Sequence, residues 1–197
     1  MLGSAMPARQ KARMTVDEFL AWAEGQKGRY ELYNGVVYAM SPERAGHAEV
    51  KHAVATALAS AIARAKLACW MLPDGMTVRV DRNTAHEPDA LVYCGAKLAS
   101  DAVEVPSPVV VVEVLSPSTR HIDASSKLAG YFKVPSVHHY LIVDPERRLV
   151  IQHSRGEGDL IGTRILSRGT LDLSPPGITL SLARLFSRPA DRGREAS

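Results

Sequence analysis

One acid inside a run of apolar residues constrains this chain more than any other feature: Val109-Val110-Val111-Val112-Glu113-Val114-Leu115. The β-branched run reads as a strand. Side chains alternate between the faces of a strand, so Glu113 is expected to share a mainly core face with Val109, Val111 and Leu115. An ionised carboxylate placed there costs several kcal/mol or more unless a cation or hydrogen-bond donors compensate it. Glu113 therefore needs a partner. The nearest candidates are Asp89, after Pro88, and Lys127, beyond the Ser116-Pro117-Ser118-Thr119 turn. Two acids and a lysine are the equipment of a divalent-metal hydrolase.

The 197 residues suffice for one domain with a substantial core, and 46% hydrophobic with 23% charged residues is an ordinary globular composition. The expected organisation is a disordered leader over 1–14, a single domain over 15–187 and a disordered tail over 188–197. The first fourteen residues carry Arg9, Lys11 and Arg13 but no continuous apolar segment, unlike a secretory signal. The most apolar stretch falls far short of the roughly 18 residues that a membrane span requires. A soluble, cytoplasmic protein is expected, with no membrane partner. Cys69 and Cys94 lack C-x-x-C spacing and read as reduced thiols filling core space. A net charge of +3 is too small by itself to reveal a nucleic-acid partner.

Thr15-Val16-Asp17-Glu18 is a capping box ahead of Phe19, Leu20 and Trp22, so a helix is expected from about Val16 to Glu24. Residues Arg29 to Met40 read as a hairpin turning at Asn34-Gly35. Val50, Val54, Leu58 and Ile62 recur at helical spacing between Arg44 and Lys66, among many alanines. Strand-like pieces at Ala68–Leu72, Met76–Asp81, Ala90–Cys94 and Val109–Leu115 are expected to form the central sheet. Asp123 can cap a helix from Ala124 to Lys133, ended by Pro135. His139–Val143 and Leu149–His153 read as a hairpin, with weaker strands at Leu160–Leu166 and Thr170–Leu173 and a last turn of helix over Leu180–Phe186. The composite is an α+β fold: a central mixed β-sheet flanked by helices, with an N-terminal helix and hairpin.

Asp89 opens one strand where a sheet edge meets a cleft. If that strand pairs with the one carrying Glu113, both carboxylates reach one ion. Mg²⁺ or Mn²⁺ takes one or two carboxylates with waters and phosphate oxygens, a set that Asp89, Glu113 and the Val114 carbonyl can supply. Lys127 shares a helix side with Tyr131 and can neutralise a phosphoryl transition state and orient water. The plain alternative is a snorkelling surface lysine. Other chemistries fail on geometry. His47 and His52 lie five apart, not at the spacing of a helical zinc pair. No G-x-S-x-G elbow surrounds the serines, and no glycine-rich phosphate loop follows a strand.

Pro88-Asp89 … Glu113-x-Leu115 resembles the PD-(D/E)xK nuclease motif with Leu115 in the place of its lysine. A longer pattern resembles the Uma2 family of restriction-endonuclease-like proteins. It comprises Arg29-Tyr-Glu31-Leu with Asn34-Gly35, Met40-Ser-Pro42, His47, Pro88-Asp89, Val112-Glu-Val-Leu-Ser-Pro-Ser-Thr119, Asp123, Lys127-Leu, Tyr131 and Tyr140-Leu-Ile-Val-Asp144. The resemblance covers roughly Thr15 to Phe186. It implies a restriction-endonuclease-like core, DNA as substrate, and a catalytic lysine displaced onto the next helix, here Lys127. Glu31 and His47 match family positions and are possible accessory residues, a further ligand and a substrate contact; an exposed hairpin glutamate and a locally bonded histidine are the alternatives. The segment Phe132–Tyr140 departs from the family pattern in a way that touches packing. Cutting two strands would favour a homodimer. An inactive nucleic-acid-binding or assembly module with the same fold, and a plain buried ion pair between Glu113 and Lys127, stand as the competing readings.

Overall fold

The structure is a computed structural model describing residues 13–116 and 124–186. The expected leader, apart from Arg13 and Met14, lies outside these residues, as do the tail and the Asp123 cap. Met14 belongs to the fold: its amide donates to the Gly35 carbonyl at 3.0 Å, and its carbonyl accepts from Asn83 at 2.7 Å.

The helix α1, Val16–Ala23, opens with the expected capping box. The Thr15 hydroxyl accepts from the Glu18 amide, and the Glu18 carboxylate accepts from the Thr15 amide. The hairpin follows as β1, Tyr30–Tyr33, and β2, Val36–Ala39. Its turn places Asn34 at φ 49° and Gly35 at φ 76°, the left-handed pair that a two-residue turn requires. A Cβ at Gly35 would also collide with the Arg13 Cβ, so this position demands glycine twice over.

Next come α2, Ala45–Ala65, then β3, Cys69–Pro73; β4, Val78–Asp81; β5, Thr84–His86; β6, Ala90–Cys94; and β7, Pro108–Val114. They are followed by α3, Ala124–Lys133, and by β8, His139–Asp144; β9, Leu149–Arg155; β10, Ile161–Leu166; β11, Thr170–Leu173; β12, Ile178–Ser181; and α4, Leu182–Phe186. The central sheet has six strands in the order β10-β9-β8-β7-β6-β3. Among the described residues only β7 and β8 of this sheet pair in parallel, which makes the sheet mixed, and the connection carrying α3 supplies the crossover that such a pair needs.

Three expectations are corrected here. The strand predicted at Met76–Asp81 forms, but as β4 it joins a separate sheet in the order β2-β1-β5-β4; the unforeseen β5, only three residues long, bridges it to the hairpin. Cys69 and Cys94 are not reduced thiols. They face each other across β3 and β6 and are joined in a disulfide, because the register sets them directly opposite. Finally, Val109 does not share the face of Glu113. Consecutive β6 residues Val92 and Tyr93 pair with Val110 and Pro108, leaving Val109 as the extra residue of a bulge, packed with Val110 in the cluster under α2.

Beyond the bulge the alternation is regular. Val110, Val112 and Val114 pack with Val92, Leu141 and Val143 under α2, β11, β12 and α4. Val111 and Leu115 join Leu91, Tyr140, Ile142, Tyr131 and Leu128 on the face covered by α3. The central strands are thus buried on both sides, and β7 runs between two cores. Leu58 of α2 is fully buried against the first. Leu58→Ala should cost about 2–5 kcal/mol in urea unfolding; a loss below about 1 kcal/mol would mean that α2 does not pack as described.

Candidate active site

The site lies where β6 begins and β7 ends. Ala90 pairs with Val112, so Asp89 and Glu113 are the next residues out along the two strands. Asp89 is buried, and its Oδ2 accepts from the Val114 amide at 2.7 Å, tying this carboxylate to the strand that carries the other. Glu113 Oε1 accepts from Lys127 Nζ at 2.8 Å and from the Tyr131 hydroxyl at 2.7 Å. These donors stand four residues apart on α3, so one face of that helix serves the single acid of β7. Lys127 Nζ also donates to Glu31 Oε1 at 2.9 Å, and the Glu87 amide anchors the same oxygen at 3.0 Å.

The structure therefore brings Glu31, Asp89, Glu113 and Lys127 together. Lys127 and Glu31 are only 16% and 17% exposed, which excludes a snorkelling lysine and an exposed hairpin glutamate. His47 joins them: Nε2 lies 2.7 Å from the Val114 carbonyl and Nδ1 2.8 Å from Glu43 Oε1. The carbonyl considered as a metal ligand thus already faces a histidine on one side.

A second group of residues escaped the sequence. Lys51 Nζ contacts Asp74 Oδ2 at 2.5 Å, Glu43 Oε1 at 2.8 Å and Asp89 Oδ1 at 3.0 Å. Arg29 pairs with Asp74 at 2.5 Å and with Glu87 at 3.0 Å. The spacing of His47 and Lys51 is a signal, since four residues put both on one helix face. Arg29, Asp74 and Glu87 sit outside regular elements, at positions where local pattern is silent about long-range partners.

Six carboxylates of this network, on Glu31, Glu43, Asp74, Glu87, Asp89 and Glu113, face three fixed cations, Arg29, Lys51 and Lys127. The imbalance appears in the acidities. Burial, reinforced by the charges of Asp89 and Glu31, pushes the Glu113 carboxyl up to about 7 against the pull of Lys127. Burial also raises Glu31, but the charges of Lys127 and His86 and the hydrogen bonds from Lys127 and the Glu87 amide together outweigh it and hold Glu31 below the usual value. Burial pulls Lys127 down, and Glu113 and Glu31 more than reverse that, keeping the ammonium protonated. Asp89, Glu113, His47, Lys51 and Lys127 all line one cavity of ≈ 590 Å³. Among the described residues no set of three His, Cys, Asp or Glu side chains could hold an ion alone. Two carboxylates completed by water and substrate oxygens is the arrangement the site allows.

The raised pKa of the Glu113 carboxyl gives stability a pH dependence of definite sign. The folded state holds this proton more tightly than the unfolded chain, so the contribution is fully present below about 4.5 and is lost as pH rises through about 7. The stability advantage of the wild type over Glu113→Gln should accordingly shrink between pH 5 and pH 8 in denaturant titrations. An advantage that stays constant or grows over that interval would place the Glu113 carboxyl at an ordinary acidity.

Comparison with known proteins gives a curated relative and, among the solved structures that match, a fold neighbour. An uncharacterized protein of Synechocystis is 23% identical over 182 residues, covering 91% of this chain and 95% of its own. A crystal structure from Anabaena variabilis, described as a putative nuclease belonging to DUF820, superposes with a TM-score of 0.69 at 14% identity, covering 88% of this chain and 97% of that one. At that identity the likeness shows the fold, a nuclease-like α+β architecture. The model of the Uma2 family, described as "putative restriction endonuclease", matches residues 16–184, nearly the whole described fold, and the chain belongs to that family.

Proposed function

We propose that the protein is a metal-dependent endonuclease that hydrolyses DNA phosphodiester bonds, with Asp89 and Glu113 as ligands of Mg²⁺ or Mn²⁺ and Lys127 as the catalytic cation. One observation carries the reading. Lys127, borne by a helix fourteen residues beyond Glu113, returns to within 2.8 Å of it in a cavity that Asp89 also lines. The donor set fits the ion: oxygen ligands suit hard divalent cations, and the excess of carboxylates over fixed cations calls for added positive charge. The nuclease description of the family and the fold neighbour support a nucleic-acid substrate.

A bound divalent ion would supply Lewis-acid charge at the scissile phosphate. The protein's own groups do the rest. The Val114 amide fixes the Asp89 carboxylate, and Tyr131 fixes that of Glu113. Glu31 holds the Lys127 ammonium from its far side, so that it is aimed before substrate arrives. From there the third hydrogen of the Lys127 ammonium can be donated to the attacking water or to a non-bridging phosphate oxygen, offsetting negative charge as the transition state forms. No helix among the described residues is long and apolar enough to cross a membrane. Cleavage of both strands would be served by a two-fold homodimer that presents two such sites.

Incubation of supercoiled plasmid with Mn²⁺ or Mg²⁺ tests the proposal. Wild type should nick and linearise the DNA, EDTA should stop it, and Asp89→Asn, Glu113→Gln and Lys127→Ala should each lower the rate by about 10²-fold or more. Wild type and variants that behave alike across several DNA substrates would leave a nuclease fold used only for binding or assembly.

A further inference from the structure

Lys51 has no part in the reaction proposed above, yet its ammonium is buried against an oxygen of Asp89. The residue is 8% exposed, and the three hydrogens of its ammonium meet three acceptors, on Asp74, Glu43 and Asp89. Only the last of these is placed among the metal ligands. Glu43 precedes α2, and Asp74 follows β3 and is itself held by Arg29. If the contact with Asp89 Oδ1 is given up, Lys51 keeps two ion pairs, and Asp89 keeps the Val114 amide on Oδ2. Neither group is then left buried and unpaired, which is the condition that ordinarily makes breaking such a pair costly. Lys127 differs, because both of its carboxylate partners, Glu113 and Glu31, belong to the reaction side of the site.

We propose that Lys51 is an internal counter-ion that occupies Asp89 Oδ1 when no metal is bound and withdraws onto Asp74 and Glu43 when a divalent cation arrives. The inference rests on Asp89 being a metal ligand, as proposed above. Two consequences follow from competition for one oxygen. The contact of Lys51 with Asp89 stabilises the metal-free state, and by the same amount its loss on metal binding weakens the affinity for the ion. The ion is then held tightly only when a phosphodiester adds its own anionic oxygens, so occupancy of the site is tied to substrate.

Calorimetric titration of the full chain with MnCl₂, without DNA, tests this, with thermal melting as a second reading. Lys51→Met should bind Mn²⁺ about tenfold more tightly than wild type, the usual scale for residues contacting metal ligands. It should melt lower than wild type without metal and gain more on Mn²⁺ addition, while Lys51→Arg stays close to wild type. Asp74→Asn should move the other way, to several-fold weaker Mn²⁺ binding, because Lys51 loses a refuge and leans harder on Asp89. Equal or weaker binding by Lys51→Met overturns the inference. If Lys51→Met does not fold, unchanged or tighter binding by Asp74→Asn overturns it. Uptake that Glu113→Gln abolishes but that the Lys51 and Asp74 variants leave untouched sinks this inference alone, whereas no uptake by wild type or any variant sinks the metal reading itself.

Discussion

The bond between Glu113 and Lys127 is the interaction on which the rest of the site depends. A lone carboxylate moved from water into a dry interior loses on the order of 20 kcal/mol of hydration in the idealised limit, and several kcal/mol after relaxation. Glu113 meets that demand with an ammonium and a phenol from one helix, both on Oε1. The compensation is partial, which is why its acidity remains that of a group half-protonated near pH 7 rather than of an ordinary glutamate. Full compensation would make a stable ion pair and a poor ligand. Incomplete compensation leaves the pair ready to accept another cation.

That arrangement explains the division of the sheet. Beyond the bulge at Val109, the even-numbered valines of β7 feed the core under α2 and the odd-numbered positions face α3. Glu113 occupies an odd position at the end of the strand, where the second core gives way to the cavity. The neighbouring small sheet then closes the site from outside: β1 carries Glu31, and Glu87, just past β5, contributes the amide that anchors Glu31 and the carboxylate that holds Arg29. The small sheet is therefore part of the site as well as a cover for the fold. Its residues fix the far side of Lys127.

Sequence reasoning succeeded where the physics is local. The capping box at Thr15, the Asn34-Gly35 turn, the long alanine-rich helix and α3 all follow from short-range pattern, and Glu113 stood out because a charge in an apolar run violates a local rule. It failed where partners come from far along the chain. Nothing near Lys51 announces that it will meet Asp74 and Asp89, and β5 is too short to show alternation. The bulge at Val109 likewise shows only in the pairing with β6. The cysteines misled for the same reason, since an exposed pairing across two strands is invisible until the register is known.

Leu115 shows why moving the lysine changes more than its position. In the nuclease motif the lysine is carried by the same strand as the acid, two residues on, so its placement is guaranteed by the strand alone. Here Leu115 packs into the α3-side cluster with Leu128, and the lysine comes from the helix that this packing holds in place. The geometry of the proposed site is thereby made conditional on α3 docking. Tyr131 reinforces the condition: it is fully buried in that cluster, yet its hydroxyl reaches Glu113, so the same residue reports core packing to the acid. A helix-borne lysine could withdraw from the site by a small shift of α3, whereas a strand-borne one could not without breaking the sheet. If Lys127 serves as the proposed lysine, the rigidity of a β-ladder is exchanged for a site whose assembly rests on tertiary contacts, the kind of element whose equilibrium a bound substrate can bias.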